Sequence, residues 1–187
     1  MATMQTTAKF TLRPSHRVGA AWLLFIWMLL APLAHSEVYL SNEQFSARYF
    51  AEQPPLRGQL WLTEELKAAA EPLLGRKPSG LRVRYQRSTD GLRSAWIMNE
   101  IGKELPITIG VVVERGAIVA VEILAFRESR GWEVRFPAYT AQYRNARLEK
   151  RQLSENIDGI TGATLSVRAV NAVAKLALFY AEQLEPL

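Results

Sequence analysis

The stretch "ITIGVVVERGAIVAVEILAF" constrains the fold more than any other part of this chain. Two runs rich in Val and Ile are joined only by Glu114-Arg115-Gly116. β-Branched runs favour strands, and so short a connection favours an antiparallel return, because a parallel crossover needs a dozen or more residues. The same pattern extends upstream. Leu81, Val83 and Tyr85 alternate with Arg82, Arg84 and Gln86, the period of a half-buried strand. Asp90-Gly91 is a hairpin signal, and "LRSAWIMNEIGK" reads as the returning strand.

Helical patterns flank these strands. In "SNEQFSARYF", Ser41 or Asn42 caps a short helix, Phe45 and Tyr49 share one face, and Pro54-Pro55 ends the segment. In "TEELKAAAEPLLG", Thr63 is the expected N-cap and Gly75 the C-cap, with Glu64 and Glu65 suited to the positive helix start. "ESRGWEVRFP" leaves the last strand, and "PAYTAQYRNA" predicts a helix with Pro137 in its first turn. Near the C-terminus, Val167, Val170, Val173, Ala174, Ala177, Leu178 and Ala181 recur at three and four, giving an apolar stripe. The expected class is α+β, an antiparallel β-sheet packed with helices. No internal repeat and no second globular domain is evident.

The N-terminus reads differently. Lys9, Arg13 and Arg17 precede the apolar run Val18 to Leu30, and Ala34-His35-Ser36 places small residues where a signal peptidase reads. Residues 1–36 are therefore expected to be a signal peptide cleaved between Ser36 and Glu37, or else an uncleaved anchor. Either reading puts the body on the periplasmic or other extracytoplasmic side of a membrane. Both histidines, His16 and His35, lie in this segment, and the chain has no cysteine. The mature chain then lacks thiolate and imidazole chemistry altogether. Disulfides and Fe–S clusters are excluded on that ground, and zinc or blue-copper centres and His- or Cys-based triads lose their usual ligands and nucleophiles. Removing three of the 23 basic residues and none of the 18 acidic ones lowers the formal charge from +5 to +2. That balance makes no case for a nucleic-acid partner. Redox chemistry, if present, must come from an organic cofactor.

One stretch invites that cofactor: "DGITGATLS", Asp158 to Ser166. Its plain reading is a turn at Asp158-Gly159, a helix cap from Thr161 or Thr164, and a Gly162-Ala163 step that lets the helix pack closely. Its functional reading rests on the helix start, whose first amides lack intrahelical partners and favour an anion. Small residues let a phosphate approach the backbone, and a hydroxyl there can bond to it or be esterified. A free threonine hydroxyl is a poor nucleophile at neutral pH, and no mature histidine serves as its base, so esterification would need a separate enzyme.

These residues resemble the flavinylation motif of the FMN-binding domain family, approximately D-x-x-[ST]-G-A-T-x-[ST]. That family includes flavin-carrying subunits of the sodium-pumping NADH:quinone oxidoreductase and of the Rnf complex. The resemblance implies FMN carried on Thr164 through a phosphoester bond, with Asp158, Thr161, Gly162, Ala163, Leu165 and Ser166 completing the motif. It also implies a flavin transferase that uses FAD and Mg²⁺. A second segment, "VVVERGAIVAVEILAFRESRG", is similar to the family's strand–turn–strand with its E-T-P-G-like loop. Here the loop is Glu128-Ser129-Arg130-Gly131, in which Ser129-Arg130 departs from Thr-Pro. On that resemblance Gly131 admits the flavin ring, Trp132 stacks on it and Arg130 favours its reduced, anionic form. The resemblance covers Ile107 to Tyr180.

The expected organisation is then residues 1–36 as targeting segment, 37–80 as a helical N-terminal part and 81–187 as the FMN-binding domain. The expected function is an exported electron-transfer flavoprotein with a membrane redox partner. A flavin-dependent extracytoplasmic reductase and a non-redox binding or assembly module are the alternatives. Glu64 and Glu65 read as helix-start charges. Arg82, Arg84, Arg87 and Arg93 are expected to line one exposed sheet face, to which an acidic partner could dock.

Overall fold

The computed structural model describes residues 37–185; the expected targeting segment, 1–36, lies outside them. The described residues fall within one compact unit, built in chain order as follows. Strand β1 is Glu37–Val38, helix α1 Asn42–Tyr49, β2 Leu56–Trp61 and α2 Glu64–Leu74. Strands β3 Arg82–Arg87, β4 Arg93–Ile101, β5 Pro106–Glu114 and β6 Ala117–Phe126 follow. A short 3-10 helix, Trp132–Arg135, leads to α3 at Pro137–Thr140. A small hairpin, β7 Leu148–Glu149 and β8 Gln152–Leu153, precedes the long α4, Thr164–Glu182.

Six strands form one sheet in the order β1-β6-β5-β4-β3-β2, each antiparallel to its neighbours. The α+β class holds. Strand alternation sorts the side chains of β4 and β5 between two faces. Trp96, Ile107, Ile109, Val111 and Val113 face α4, which buries Val167, Val170, Val173, Ala174, Ala177 and Leu178 against them. The apolar stripe is thus the core-facing side of α4. On the other face Ala95, Val112 and Leu124 pack with Phe45 and Phe50 at α1. Phe45 and Tyr49 meet edge to face at 5.2 Å. Among the described residues, no helix is long and apolar enough to cross a membrane.

The local signals set the ends of the early helices. Ser41 accepts from the Gln44 N–H while the Gln44 side chain accepts from the Ser41 N–H, a reciprocal capping box. Thr63 accepts from the Leu66 N–H, and Gly75 closes α2 in a left-handed conformation. Pro137 opens α3 at its first turn, although that helix has only four residues before the backbone tightens.

Three expectations change. Residues 37–80 are not wholly helical, because β1 and β2 both join the sheet. β2 pairs with β3 over its whole length, from Leu56↔Arg87 to Trp61↔Arg82, and forms a sheet edge. It escapes pattern reading because both of its faces are substantially solvated, so "LRGQLW" shows no clean alternation. The four arginines do not share a face. Arg93 holds Glu114 at 2.9 Å and the Tyr49 carbonyl at 2.8 Å on the α1 side. Arg87, one register step out of phase, reaches the Glu185 carbonyl on the α4 side. Finally, β3 and β4 pair only from Arg87↔Ser94 to Tyr85↔Trp96. Beyond Tyr85 the two strands separate, and their diverging halves leave grooves on both faces of the sheet.

A candidate anion site at the start of the C-terminal helix

The end of β6 and the start of α4 come together around a cavity of about 560 Å³. It lies within the roughly 300–1,000 Å³ range usual for cofactor pockets. Glu128, Ser129 and Arg130 line one side, Gly162 to Ser166 the other, and Lys103 a third. Eight of the residues singled out from the sequence therefore meet here: Glu128, Ser129, Arg130, Gly162, Ala163, Thr164, Leu165 and Ser166.

The helix start is open. Thr164 is the first residue of α4 and Ala163 occupies the N-cap, with no side-chain cap bond and no acid in the first turn. Neither Thr161 nor Thr164 is a cap, contrary to the plain reading. The turn before the helix explains this. The Ala163 N–H donates to the Ile160 carbonyl at 2.9 Å, so Thr161 and Gly162 form the tip of a tight turn and the chain enters the helix one residue later. The Val167 N–H is the first to bond within the helix, to the Ala163 carbonyl at 2.9 Å. The N–H groups of Thr164, Leu165 and Ser166 precede that bond and are available to an anion. Gly162, at φ +83°, has no non-neighbouring atom within 4 Å of where a Cβ would stand, so the approach over it is clear.

The opposite wall is held by Glu128. Its Oε1 accepts the backbone N–H groups of Lys103, Glu104 and Leu105 at 2.5, 2.6 and 2.8 Å. Burial works to raise the Glu128 carboxyl, but these three donors outweigh it and hold it below its ordinary value. Glu128 thus clamps the β4–β5 turn and brings Lys103 to the cavity. Arg130 and Lys103, whose ammonium also pairs with Glu104 at 3.0 Å, line the cavity with the open amides, a donor set suited to phosphate. Lys103 was not singled out from the sequence. A lone lysine in a turn has no signature, and only the Glu128 clamp, between residues 25 apart in sequence, brings it here.

The remaining expected residues lie beside the cavity. Gly131, at φ +86°, backs onto Ser166 and Ala163. Trp132 does not line the cavity; it meets Phe136 edge to face at 5.2 Å, and the Arg135 guanidinium stands 5.1 Å from its ring. Asp158 and Thr161 are exposed and also stand outside the lining. The Asp158 N–H donates to Gln142 Oε1 at 2.8 Å, so that residue anchors the approach to the turn.

An uncapped helix start beside Lys103 and Arg130, on an antiparallel sheet, is an arrangement suited to an anion. Comparison with protein-family models identifies it further: residues 102–178 match the FMN-binding domain, and this segment of the chain is such a domain. No curated protein matches the chain. The matched segment contains every residue lining the cavity, and an FMN-binding domain implies a flavin-carrying redox protein. Residues 37–101, with β1 to β4, α1 and α2, lie outside it.

Proposed function

We propose that the protein is an exported electron carrier holding FMN through a phosphoester to Thr164 Oγ1. The observation that carries this reading is the uncapped start of α4. Thr164 is its first residue, the free amides of Thr164 to Ser166 stand at the cavity, and Lys103 and Arg130 lie beside them. Those amides and cations are suited to hold the FMN phosphate at the hydroxyl that esterifies it. Bound FMN supplies one- and two-electron chemistry, while the chain orients it and tunes its surroundings. Trp132, Phe136 and Leu165, each about two-fifths exposed, give an apolar rim next to the cavity that suits docking of a membrane redox partner.

Attachment requires a transferase using FAD and Mg²⁺. The threonine oxygen bonds to the phosphorus of the FMN half of FAD, the pyrophosphate bond breaks, AMP leaves, and the transferase takes the hydroxyl proton. Export through residues 1–36 places the carrier on the extracytoplasmic side, where a covalent link prevents cofactor loss. Intact mass after expression with a flavin transferase tests both points. The expected species begins at Glu37 and carries one FMN less one water. A chain of unmodified mass from a host whose transferase labels a control substrate would overturn the covalent assignment.

A further inference from the structure

The sheet face opposite α4 carries a second cavity, lined by residues before the FMN-binding match together with Thr108, Leu124, Ala125 and Arg127 within it. Where β3 and β4 part beyond Tyr85↔Trp96, a groove of about 730 Å³ opens between β3, β4 and the N-terminal end of α1. Its floor is apolar, from Ala95, Ile97 and Leu124. Arg57, Arg84 and Arg127 line it. None of the three has a carboxylate within 4.0 Å among the described residues. Glu43 is the one carboxylate in the lining.

Two details make this more than a basic patch. Arg127 is fixed from behind: one of its nitrogens donates to the Pro106 carbonyl at 3.1 Å and to Thr108 Oγ1 at 2.9 Å. Among the described residues its other N–H groups have no protein partner, so a positioned donor is left over. The Gln86 side chain also lines the groove, and its Oε1 is buried without a hydrogen-bond partner. A buried carbonyl oxygen is costly without a donor, so this atom calls for an N–H or O–H from an occupant.

We propose that this groove binds a small organic anion with three matched parts. A carboxylate, sulfonate or phosphate head meets Arg84 and Arg127, an apolar body covers Ile97 and Leu124, and an N–H or O–H group satisfies Gln86. The site is separate from the flavin cavity, with which it shares no lining residue, so its occupancy does not depend on flavin attachment.

The test uses 8-anilinonaphthalene-1-sulfonate as probe, because it combines a sulfonate, an aromatic body and an N–H. Calorimetric titration into the full chain without flavin is expected to give one saturable site. Arg84→Gln and Arg127→Gln should each weaken it about tenfold, as for loss of a charge-assisted hydrogen bond. Gln86→Leu should weaken it less. N-phenyl-1-naphthylamine, which lacks the sulfonate, should bind at least about tenfold more weakly. Arg130→Gln, in the flavin cavity, should leave the affinity unchanged. Equal binding of the neutral analogue would overturn the proposal. So would unaltered affinity in Arg84→Gln, whose exposed side chain can change without disturbing the fold, or a loss confined to Arg130→Gln.

Discussion

Gly131 lies so close to Ser166 that a Cβ on the glycine would stand 2.5 Å from Ser166 Oγ. The same atom would meet Ser166 Cβ at 3.3 Å and Ala163 Cβ at 3.4 Å, and Gly131 holds a positive φ of 86°. The loop after β6 can therefore back onto the first turn of α4 only with glycine here. Gly131→Ala is expected to destabilise by about 1–3 kcal/mol, from a strained φ and an overpacked contact together. Urea unfolding measures this. Adding Ser166→Gly should restore the part due to the clash and leave the backbone part, so recovery should be incomplete.

The two threonines of the turn are expected to separate cleanly. Thr164→Ala should abolish in-gel flavin fluorescence, whereas Thr161→Ala, at the exposed turn tip outside the cavity, should retain it. Lys103→Gln should slow flavin loading by roughly tenfold through loss of one charge-assisted contact, with little change in melting temperature. The comparison of loading rate with melting temperature distinguishes a phosphate-positioning lysine from a structural one.

The elements read most directly from sequence are those whose signals are local. The β5–β6 hairpin has a short turn between two β-branched runs, α4 has a long apolar stripe, and α1 and α2 carry their own caps. What was not legible depends on contacts distant in sequence. β2 has two solvated faces and acquires its strand character by pairing with β3. The Glu128 clamp joins a β6-end carboxylate to a turn two strands away. The parting of β3 from β4 leaves no pattern in either strand. The motif Asp158 to Ser166 was legible as a block but not in detail: Gly162 to Ser166 line the cavity, Thr161 sits at the tip of the turn that presents them, and Asp158 anchors the approach to it.

Glu128 gives the site an acid limit. Its carboxyl lies below the ordinary value of 4.5 because three N–H donors favour the charged form despite burial. Its stabilising contribution is therefore complete above about pH 4.5 and is lost as pH falls through the lower folded value. At pH 7, Glu128→Gln should cost about 1–2 kcal/mol, since hydrogen bonds to an ionised acceptor are roughly twice as strong as neutral ones. The difference between wild type and variant, followed by urea unfolding, should shrink steadily on acidification below pH 4.5. A constant difference down to pH 3 would show that the clamp does not depend on charge.

Behind the site, Tyr139, Tyr143 and Asn171 form a chain of hydrogen bonds between the α3 region and α4. The two hydroxyls stand 2.7 Å apart, and the Tyr143 hydroxyl donates to Asn171 Oδ1 at 2.5 Å. Tyr143 is fully buried. Tyr143→Phe removes the middle link and strands both neighbours, which should cost about 1–3 kcal/mol. Replacing Asn171 by Leu in the same chain removes one stranded group and should cost less than the sum of the single changes. Burial pushes the Tyr143 hydroxyl well above the ordinary 10.0 and that of Tyr139 to about 12. Both stay protonated in the folded chain at pH values where an unfolded tyrosine ionises. The stability they confer is thus complete below pH 10 and declines as pH rises beyond it. Wild type should lose stability between about pH 10 and 12 more steeply than Tyr143→Phe, and parallel slopes would show that Tyr143 ionises as freely folded as unfolded.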